Sequence, residues 1–294
     1  MTTLARMADH DHAHDDAHQH DLLPMAGEES GGCGDGCACG QPQTALVTGA
    51  TAGIGHEFAR QLASYGWNLV LVARDEKRLT EVAEELHSAY DVNVEVLAAD
   101  LADPERRAAV AGRLADRDNA VDLLVNNAGF GLKEKFLDNP IAEEQRMHDV
   151  LVTAVLELSH AALGVMAERG HGGIINVSSV AAFIPRGTYS AAKAYVNKFS
   201  EWAHNEYGPQ GVAVMALCPG FTKTEFHGRL GIDRDASAPK WMWLDVERLV
   251  ADAIKDFEKG RIFSIPSKRY KAMVTVSRVV PGGVKQKLQS LGRK

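Results

Sequence analysis

A short apolar run that breaks straight into glycines constrains this chain most. Ala45-Leu46-Val47-Thr48 reads as a strand, and Gly49-Ala50-Thr51-Ala52-Gly53-Ile54-Gly55 follows it, ahead of an amphipathic stretch over Glu57–Tyr65. A strand that turns this tightly into a helix exposes the helix N-terminus, where free N–H groups and the positive dipole end attract an anion. Glycines are required where backbone approaches a pyrophosphate and where the helix packs close on the strand. The spacing is Gly-x3-Gly-x-Gly, not the Gly-x-Gly-x2-Gly of the commoner dinucleotide fingerprint. Its weight comes from its place at the head of a strand–helix series.

That series continues along the chain. Further strand candidates are Asn68–Ala73, Asn93–Ala98, Asp122–Asn126, Gly173–Ser178, Val212–Cys218 and Arg261–Ile265. Most are continuous apolar runs, the pattern of strands covered on both faces. Between them lie amphipathic stretches such as Glu76–Tyr90 and Ala142–Glu168. This alternation predicts an α/β fold: a doubly wound parallel sheet of the Rossmann type in three layers, α/β/α. No internal repeat is evident. The 294 residues suffice for a large core without staples. No run approaches the length of apolar chain that spans a bilayer, and no apolar region follows Arg6 as in a secretory signal. No transmembrane helix is expected.

Charge divides the chain into three. Residues 1–42 hold one cation and eight acids, residues 259–294 hold ten cations and no acid, and the body between is acidic. An acidic body argues against a nucleic-acid partner. Residues 1–42 read as a disordered tail rich in His, Asp, Gly and Cys, residues 43–268 as the folded domain, and residues 269–294 as a basic amphipathic extension. The tail carries His10, His12, His14, His18 and His20, then Cys33, Cys37 and Cys39. Imidazole and thiolate suit zinc, copper or nickel, so His10, His12, His14, Cys33, Cys37 and Cys39 form a candidate weak metal site, although their spacing matches no closed zinc site. No metal is expected in the fold itself. The extension alternates basic and apolar residues around Pro281-Gly282-Gly283. It suits a flap over a cleft or subunit contact, or weak contact with a membrane surface. Four cysteines without a disulfide framework favour a reducing, cytoplasmic setting, and Cys218, alone in an apolar run, reads as a buried residue rather than a nucleophile.

Two further places carry chemistry. The second strand ends at Ala73-Arg74, where a dinucleotide site that prefers NAD places an acid on the ribose 2′-hydroxyl. Arg74 instead offers a fork for a 2′-phosphate, so NADP(H) is favoured over NAD(H), unless Asp75 turns inward. Tyr189 and Lys193 stand four residues apart, one turn on a helix. A phenol ordinarily titrates near 10, and an ammonium beside it is expected to lower that value and make it a proton carrier for an alcohol oxygen. Asn176-Val177-Ser178-Ser179 ends one strand candidate and Asn126-Asn127-Ala128-Gly129 another, and ligands of open α/β sheets bind at such ends.

With these pieces in place, residues 43–268 resemble the short-chain dehydrogenase/reductase family in its single-domain branch. The matching segments are TGATAGIG (48–55), DL (100–101), NNAG (126–129), NVSS (176–179), YSAAK (189–193) and PGFTKT (219–224), in the family's order. The resemblance implies roles. Gly49, Thr51, Gly53, Ile54 and Gly55 would hold the pyrophosphate turn. Asp100 and Leu101 would touch the adenine, and Asn127, Ala128 and Gly129 would wall the adenosine and ribose. Pro219, Gly220, Thr222 and Thr224 would hold the nicotinamide carboxamide. Tyr189 would be the general acid/base, Lys193 would tune it and hold the nicotinamide ribose, and Ser179 would orient the substrate carbonyl. The nicotinamide carries the hydride. The family also implies a homodimer or homotetramer built on long helices, including the one that bears Tyr189.

The chain departs from the family in two places. Leu151 stands in Asp149-Val150-Leu151-Val152 where the family often has an Asn that anchors a water of the proton relay to the lysine. An active enzyme with an altered relay is expected. The link 180–188 between Ser179 and Tyr189 is shorter than usual, which leaves Ser178 as a fallback for Ser179. The segment Phe221–Leu244 corresponds to the family's substrate lid. It contains Phe226, His227, Trp241, Met242 and Trp243, which suggest a bulky apolar carbonyl or secondary alcohol, lipid- or steroid-like. His227 reads as a surface residue. The rival readings are a catalytically weak dinucleotide-binding protein and a metal-responsive regulator that senses through its tail.

Overall fold

The computed structural model describes residues 42–223 and 239–279. Seven parallel strands form one sheet in the order β3-β2-β1-β4-β5-β6-β7. They are β1 (Thr44–Thr48), β2 (Asn68–Ala73), β3 (Val94–Ala98), β4 (Leu123–Asn126), β5 (Gly172–Val177), β6 (Val212–Leu217) and β7 (Phe263–Ser264). The helices are α1 (Gly53–Ser64), α2 (Glu76–Tyr90), α3 (Pro104–Leu114), α4 (Ile141–His148), α5 (Ala154–Arg169), α6 (Thr188–Tyr207), α7 (Val246–Glu258) and α8 (Lys268–Val279). The chain order reverses beside β1, between β2 and β4, and this switch point opens the crevice in which such sheets bind ligands.

Alternation along the strands feeds two cores. Ala45 and Val47 of β1, Leu69 and Leu71 of β2, and Met215 and Leu217 of β6 face Phe58, Leu62, Leu79, Leu249 and Phe257 of α1, α2 and α7. Their neighbours Leu46, Val70 and Val214 face Val110, Leu158, Met166 and Ala203 of α3, α5 and α6. Both sets are apolar, which is why the strands read as unbroken runs. The run Ile141–Arg169 is helical throughout, with a π turn over Asp149–Thr153 joining α4 to α5. By length and composition it could cross a membrane, yet its Leu151, Leu158 and Met166 are buried against the rest of the fold.

The sheet interior also holds a polar seam. Asn126 Nδ2 donates to Ser159 Oγ at 3.1 Å and to Asn176 Oδ1 at 2.9 Å, and Asn176 Nδ2 donates to Ser200 Oγ at 2.9 Å. Ser200 Oγ in turn donates to Val196 O at 2.8 Å. Every side chain here is buried, so each bond replaces water that cannot return. The seam ties β4, β5, α5 and α6 into one register. Asn176→Ala removes one hydrogen bond from each of Asn126 and Ser200 in a buried setting, and a urea titration should register a loss of about 2 kcal/mol. A change within a few tenths would show that the seam contributes nothing to stability.

Candidate active site

The glycine turn after β1 is shaped by close backbone approach. A Cβ on Gly55 would stand 2.5 Å from Gly49 O, and one on Gly49, at φ +68°, would stand 2.9 Å from Asn127 Nδ2. No larger residue fits at either place. Thr48 fastens the turn to the end of β4: its hydroxyl accepts from Asn127 N and Ala128 N, both at 2.9 Å, while Asn127 Nδ2 donates to Thr48 O at 2.8 Å. Asp75 caps α2, Asp103 caps α3 and Asp245 caps α7, whereas no side chain caps α1. Its first N–H groups thus have no side-chain acceptor. The narrow turn and the uncapped helix together fit the pyrophosphate of a dinucleotide.

Asp75 does not turn inward. Its carboxylate accepts from Arg78 N at 3.1 Å. Arg74 is exposed, and its charge helps hold the Asp100 carboxyl below the usual carboxylate range. Asp100 also receives Ala102 N at 3.1 Å and Arg146 Nη2 at 2.6 Å, and these bonds outweigh the opposing effect of burial. Arg146 lies over the Phe130 ring, 5.6 Å from its centroid, so it bridges α4 to the segments after β3 and β4. No sequence motif singles out Arg146, because its partner Asp100 is remote in the chain. Leu101 is buried in the second core. A groove between the start of α1 and α2 is lined by Thr51, Gly53, His56 and Arg78.

At the other end of the crevice α6 brings Tyr189 and Lys193 against the end of β5. Lys193 Nζ is buried and donates to Val177 O at 2.6 Å. Ser178 Oγ donates to Lys193 O at 3.0 Å, so this hydroxyl fastens α6 to the strand. Ser179 is the serine that meets Tyr189, through a hydroxyl–hydroxyl hydrogen bond, and its Oγ also receives Ala181 N at 3.1 Å. The short link 180–188 therefore still brings Ser179 to Tyr189. Leu151 Cδ2 and Lys193 Nζ both approach Gly129 where its side chain would be. With Met147, Val152, Ala192 and Phe130, Leu151 makes this wall apolar.

Electrostatics differ from the sequence-based expectation. Burial pushes the Tyr189 phenol up to about 12, with the Ser179 hydrogen bond opposing, and pushes the Lys193 ammonium down to about 8. The ammonium donates to a backbone carbonyl and stands 5.9 Å from the centroid of the Tyr189 ring. Desolvation therefore outweighs charge stabilisation of a phenolate here.

Other predicted residues are placed as follows. Pro219 O receives Val180 N at 3.0 Å, which joins the end of β6 to the Ser179 loop. Thr222 is buried and its hydroxyl donates to Gly220 O at 3.1 Å. Thr224, Phe226, His227 and the tail residues His10, His12, His14, Cys33, Cys37 and Cys39 lie outside the described residues. Among the described residues no cluster of His, Cys, Asp and Glu could hold a metal. Cys218 is buried, with Sγ 3.3 Å from Asn197 Oδ1.

A doubly wound sheet with a glycine cradle at its switch point and a Ser–Tyr–Lys cluster nearby defines a dinucleotide-dependent oxidoreductase. The comparisons agree: the short chain dehydrogenase profile matches residues 43–235, and the chain belongs to that family. It is an oxidoreductase of the kind that acts on alcohols and ketones. Sulfoacetaldehyde reductase 2 of Chromohalobacter salexigens is 37% identical over 65% of this chain and 78% of its own. The human very-long-chain 3-oxoacyl-CoA reductase is 32% identical over 65% of this chain, which spans only 62% of that enzyme. Among solved structures, a short-chain dehydrogenase from Sphingobium yanoikuyae in complex with NADPH superposes with TM-score 0.75 at 35% identity, covering 84% of this chain and 95% of that one. A bulky-bulky ketone specific alcohol dehydrogenase from Comamonas testosteroni gives 0.70 at 32%, covering 81% and 92%.

The buried lysine makes stability depend on pH. Below about pH 8 Lys193 is protonated in both states, and burying that charge opposes folding. Between about 8 and the ordinary lysine value of 10.5 the unfolded chain binds the extra proton, so stability rises with pH. Above about 10 Tyr189 acts the other way, because the folded state keeps the phenolic proton to about 12. The thermal midpoint of the nucleotide-free protein should climb from about pH 8 to about pH 10, and Lys193→Met should flatten that rise. An identical climb in the variant would assign the effect elsewhere.

Proposed function

We propose that the protein is an NADP(H)-dependent carbonyl reductase or alcohol dehydrogenase for a bulky, largely apolar small molecule. The observation that carries this reading is the convergence of Ser179, Tyr189 and Lys193 at one end of a crevice whose other end is the glycine cradle. Gly49, Thr51, Gly53, Ile54 and Gly55 bind the pyrophosphate, Asp100 and Leu101 border the adenine, and Asn127, Ala128 and Gly129 wall the ribose. Pro219, Gly220 and Thr222, with Thr224 beyond them, hold the nicotinamide carboxamide. When bound, the nicotinamide supplies or accepts the hydride. Tyr189, protonated throughout the physiological range, gives its proton to the carbonyl oxygen, and Ser179 orients that oxygen. Lys193, with its Nζ against Val177 O, stands ready for the ribose and for the phenolate left after proton transfer.

Arg74 supports the phosphorylated cofactor: it stands free of any carboxylate at position 73, and Asp75 is engaged in capping α2. The relative bound to NADPH points the same way. Support for a bulky apolar substrate comes from the wall formed by Leu151, Met147 and Phe130 and from the Phe221–Trp243 ring pair, 5.7 Å between centroids. The relative specific for bulky-bulky ketones agrees. Leu156, Tyr195 and Trp202 are exposed on α5 and α6, and the rings of Tyr195, Phe199, Trp202 and Tyr207 follow one another along α6, a surface suited to a homodimer or homotetramer. The cytoplasmic setting follows from the cysteine usage. A second reading, contact with an anionic membrane surface, is favoured by α8, where Met273 and Val276 are exposed beside Lys268 and Lys271.

Two variants test this. Tyr189→Phe should lower carbonyl turnover at least about 100-fold while NADPH binding persists. Full activity in the variant would remove Tyr189 from the chemistry. Arg74→Ala should weaken NADPH about tenfold or more and leave NADH unchanged, as loss of a charge-assisted phosphate contact requires. Equal losses for both nucleotides would refute the 2′-phosphate reading.

A further inference from the structure

The C-terminal helix α8 makes an inward contact that the catalytic residues do not explain. Tyr270 is 3% exposed although its helix lies on the surface. Its hydroxyl accepts from Phe221 N at 3.1 Å and donates to Met242 O at 2.9 Å. One phenol thereby joins two backbone segments that leave β6 and return to α7. The same two segments are paired through Leu244 N to Phe221 O at 2.8 Å and Lys223 N to Leu244 O at 3.1 Å. The Tyr270 ring lies against Gly220, where any Cβ would strike it. Beside it Arg269 Nη1 donates to Trp241 O at 2.6 Å, with the guanidinium 5.8 Å from the centroid of the Trp241 ring.

Gly220 and Phe221 directly follow Pro219, whose carbonyl holds the loop that begins at Ser179. A displacement at Gly220 is therefore transmitted both to the end of β6 and to the serine that meets Tyr189. Tyr270 satisfies a backbone donor and a backbone acceptor in a setting where burial also pushes its own phenol above the ordinary value. A phenylalanine would pack equally well on Gly220. The hydroxyl is what fixes the position of the two segments.

We propose that Tyr270, reaching in from the C-terminal helix, is a positioning residue that holds Gly220–Thr222 in place for the nicotinamide half of the bound dinucleotide. This rests on the dehydrogenase reading above. It extends the cofactor site to a helix that carries no cofactor motif, and makes the adenosine half of the nucleotide independent of that helix.

The test separates the two halves of the nucleotide on the full-length protein. Dissociation constants are measured for NADPH and for 2′,5′-ADP, which lacks the nicotinamide, in wild type and Tyr270→Phe, together with the fluorescence of bound NADPH. Loss of two hydrogen bonds should weaken NADPH roughly five- to thirtyfold, leave 2′,5′-ADP within about twofold, and reduce the enhanced nicotinamide emission. A general structural defect would weaken both ligands together, and that outcome overturns the proposal. So does an NADPH constant unchanged from wild type. If Tyr270→Phe does not fold, Arg269→Ala, at an exposed position, cuts the neighbouring tie to Trp241 O. It should shift NADPH alone in the same direction by a smaller factor, and no shift again overturns the proposal. A wild type that binds 2′,5′-ADP and NADPH equally tightly would refute the proposal while leaving the dinucleotide cradle standing. A wild type that binds neither would defeat the NADP(H) reading of the cofactor site, and this proposal with it.

Discussion

The placement of Tyr189 and Lys193 depends on a seam between α6 and β5. Three polar links close it: Asn176 to Ser200, Ser178 Oγ to Lys193 O, and Lys193 Nζ to Val177 O. Each lies out of reach of water, so each is costly to break, and together they leave α6 a single height and rotation. Tyr189 stands one turn before Lys193 and inherits that placement. The price of the arrangement is a lysine whose ammonium is disfavoured and a tyrosine whose phenolate is disfavoured. Both are ordinary consequences of burial.

The dinucleotide end follows a different logic. There the decisive feature is what has been left out. Three helices begin under an aspartate cap, while α1 begins behind glycines with no cap. Side chains at positions 49 and 55 are excluded by Asn127 and by the turn's own carbonyl. Thr48 and Asn127 then fasten the turn to the end of β4, so the glycine turn and the Ser179–Tyr189–Lys193 cluster lie along one row of strand ends. A parallel sheet makes this possible, because every strand finishes on the same side.

Leu151 and Tyr270 show how a shared fold acquires individual character. Leu151, in the π turn, closes the space beside Lys193 with hydrocarbon, and π turns are common where a helix is bent to serve a site. Tyr270 comes from the far end of the chain and fastens the backbone beyond β6. One removes polarity from the site, and the other adds a hydrogen-bonded strut from outside the motif set.

Much of this was legible in the sequence. The seven strands appear as apolar runs because both faces of the sheet are covered, and Thr44–Thr48 and Asn68–Ala73 coincide with β1 and β2 to the residue. The last run shrinks from Arg261–Ile265 to Phe263–Ser264, the two residues that stand opposite Ala216 and Leu217 of β6. Glycine spacing and the Tyr–Lys interval are legible in the sequence because local geometry alone sets those requirements. The sequence could not supply the bond from Arg146 to Asp100, the contact of Ser179 with Tyr189, the direction of the Tyr189 and Lys193 shifts, or the reach of Tyr270. Those depend on which groups folding brings together and on how much water it removes from around them. Burial and long-range hydrogen bonds arise only when strands remote in the chain lie side by side, and for that reason the tertiary structure alone decided them.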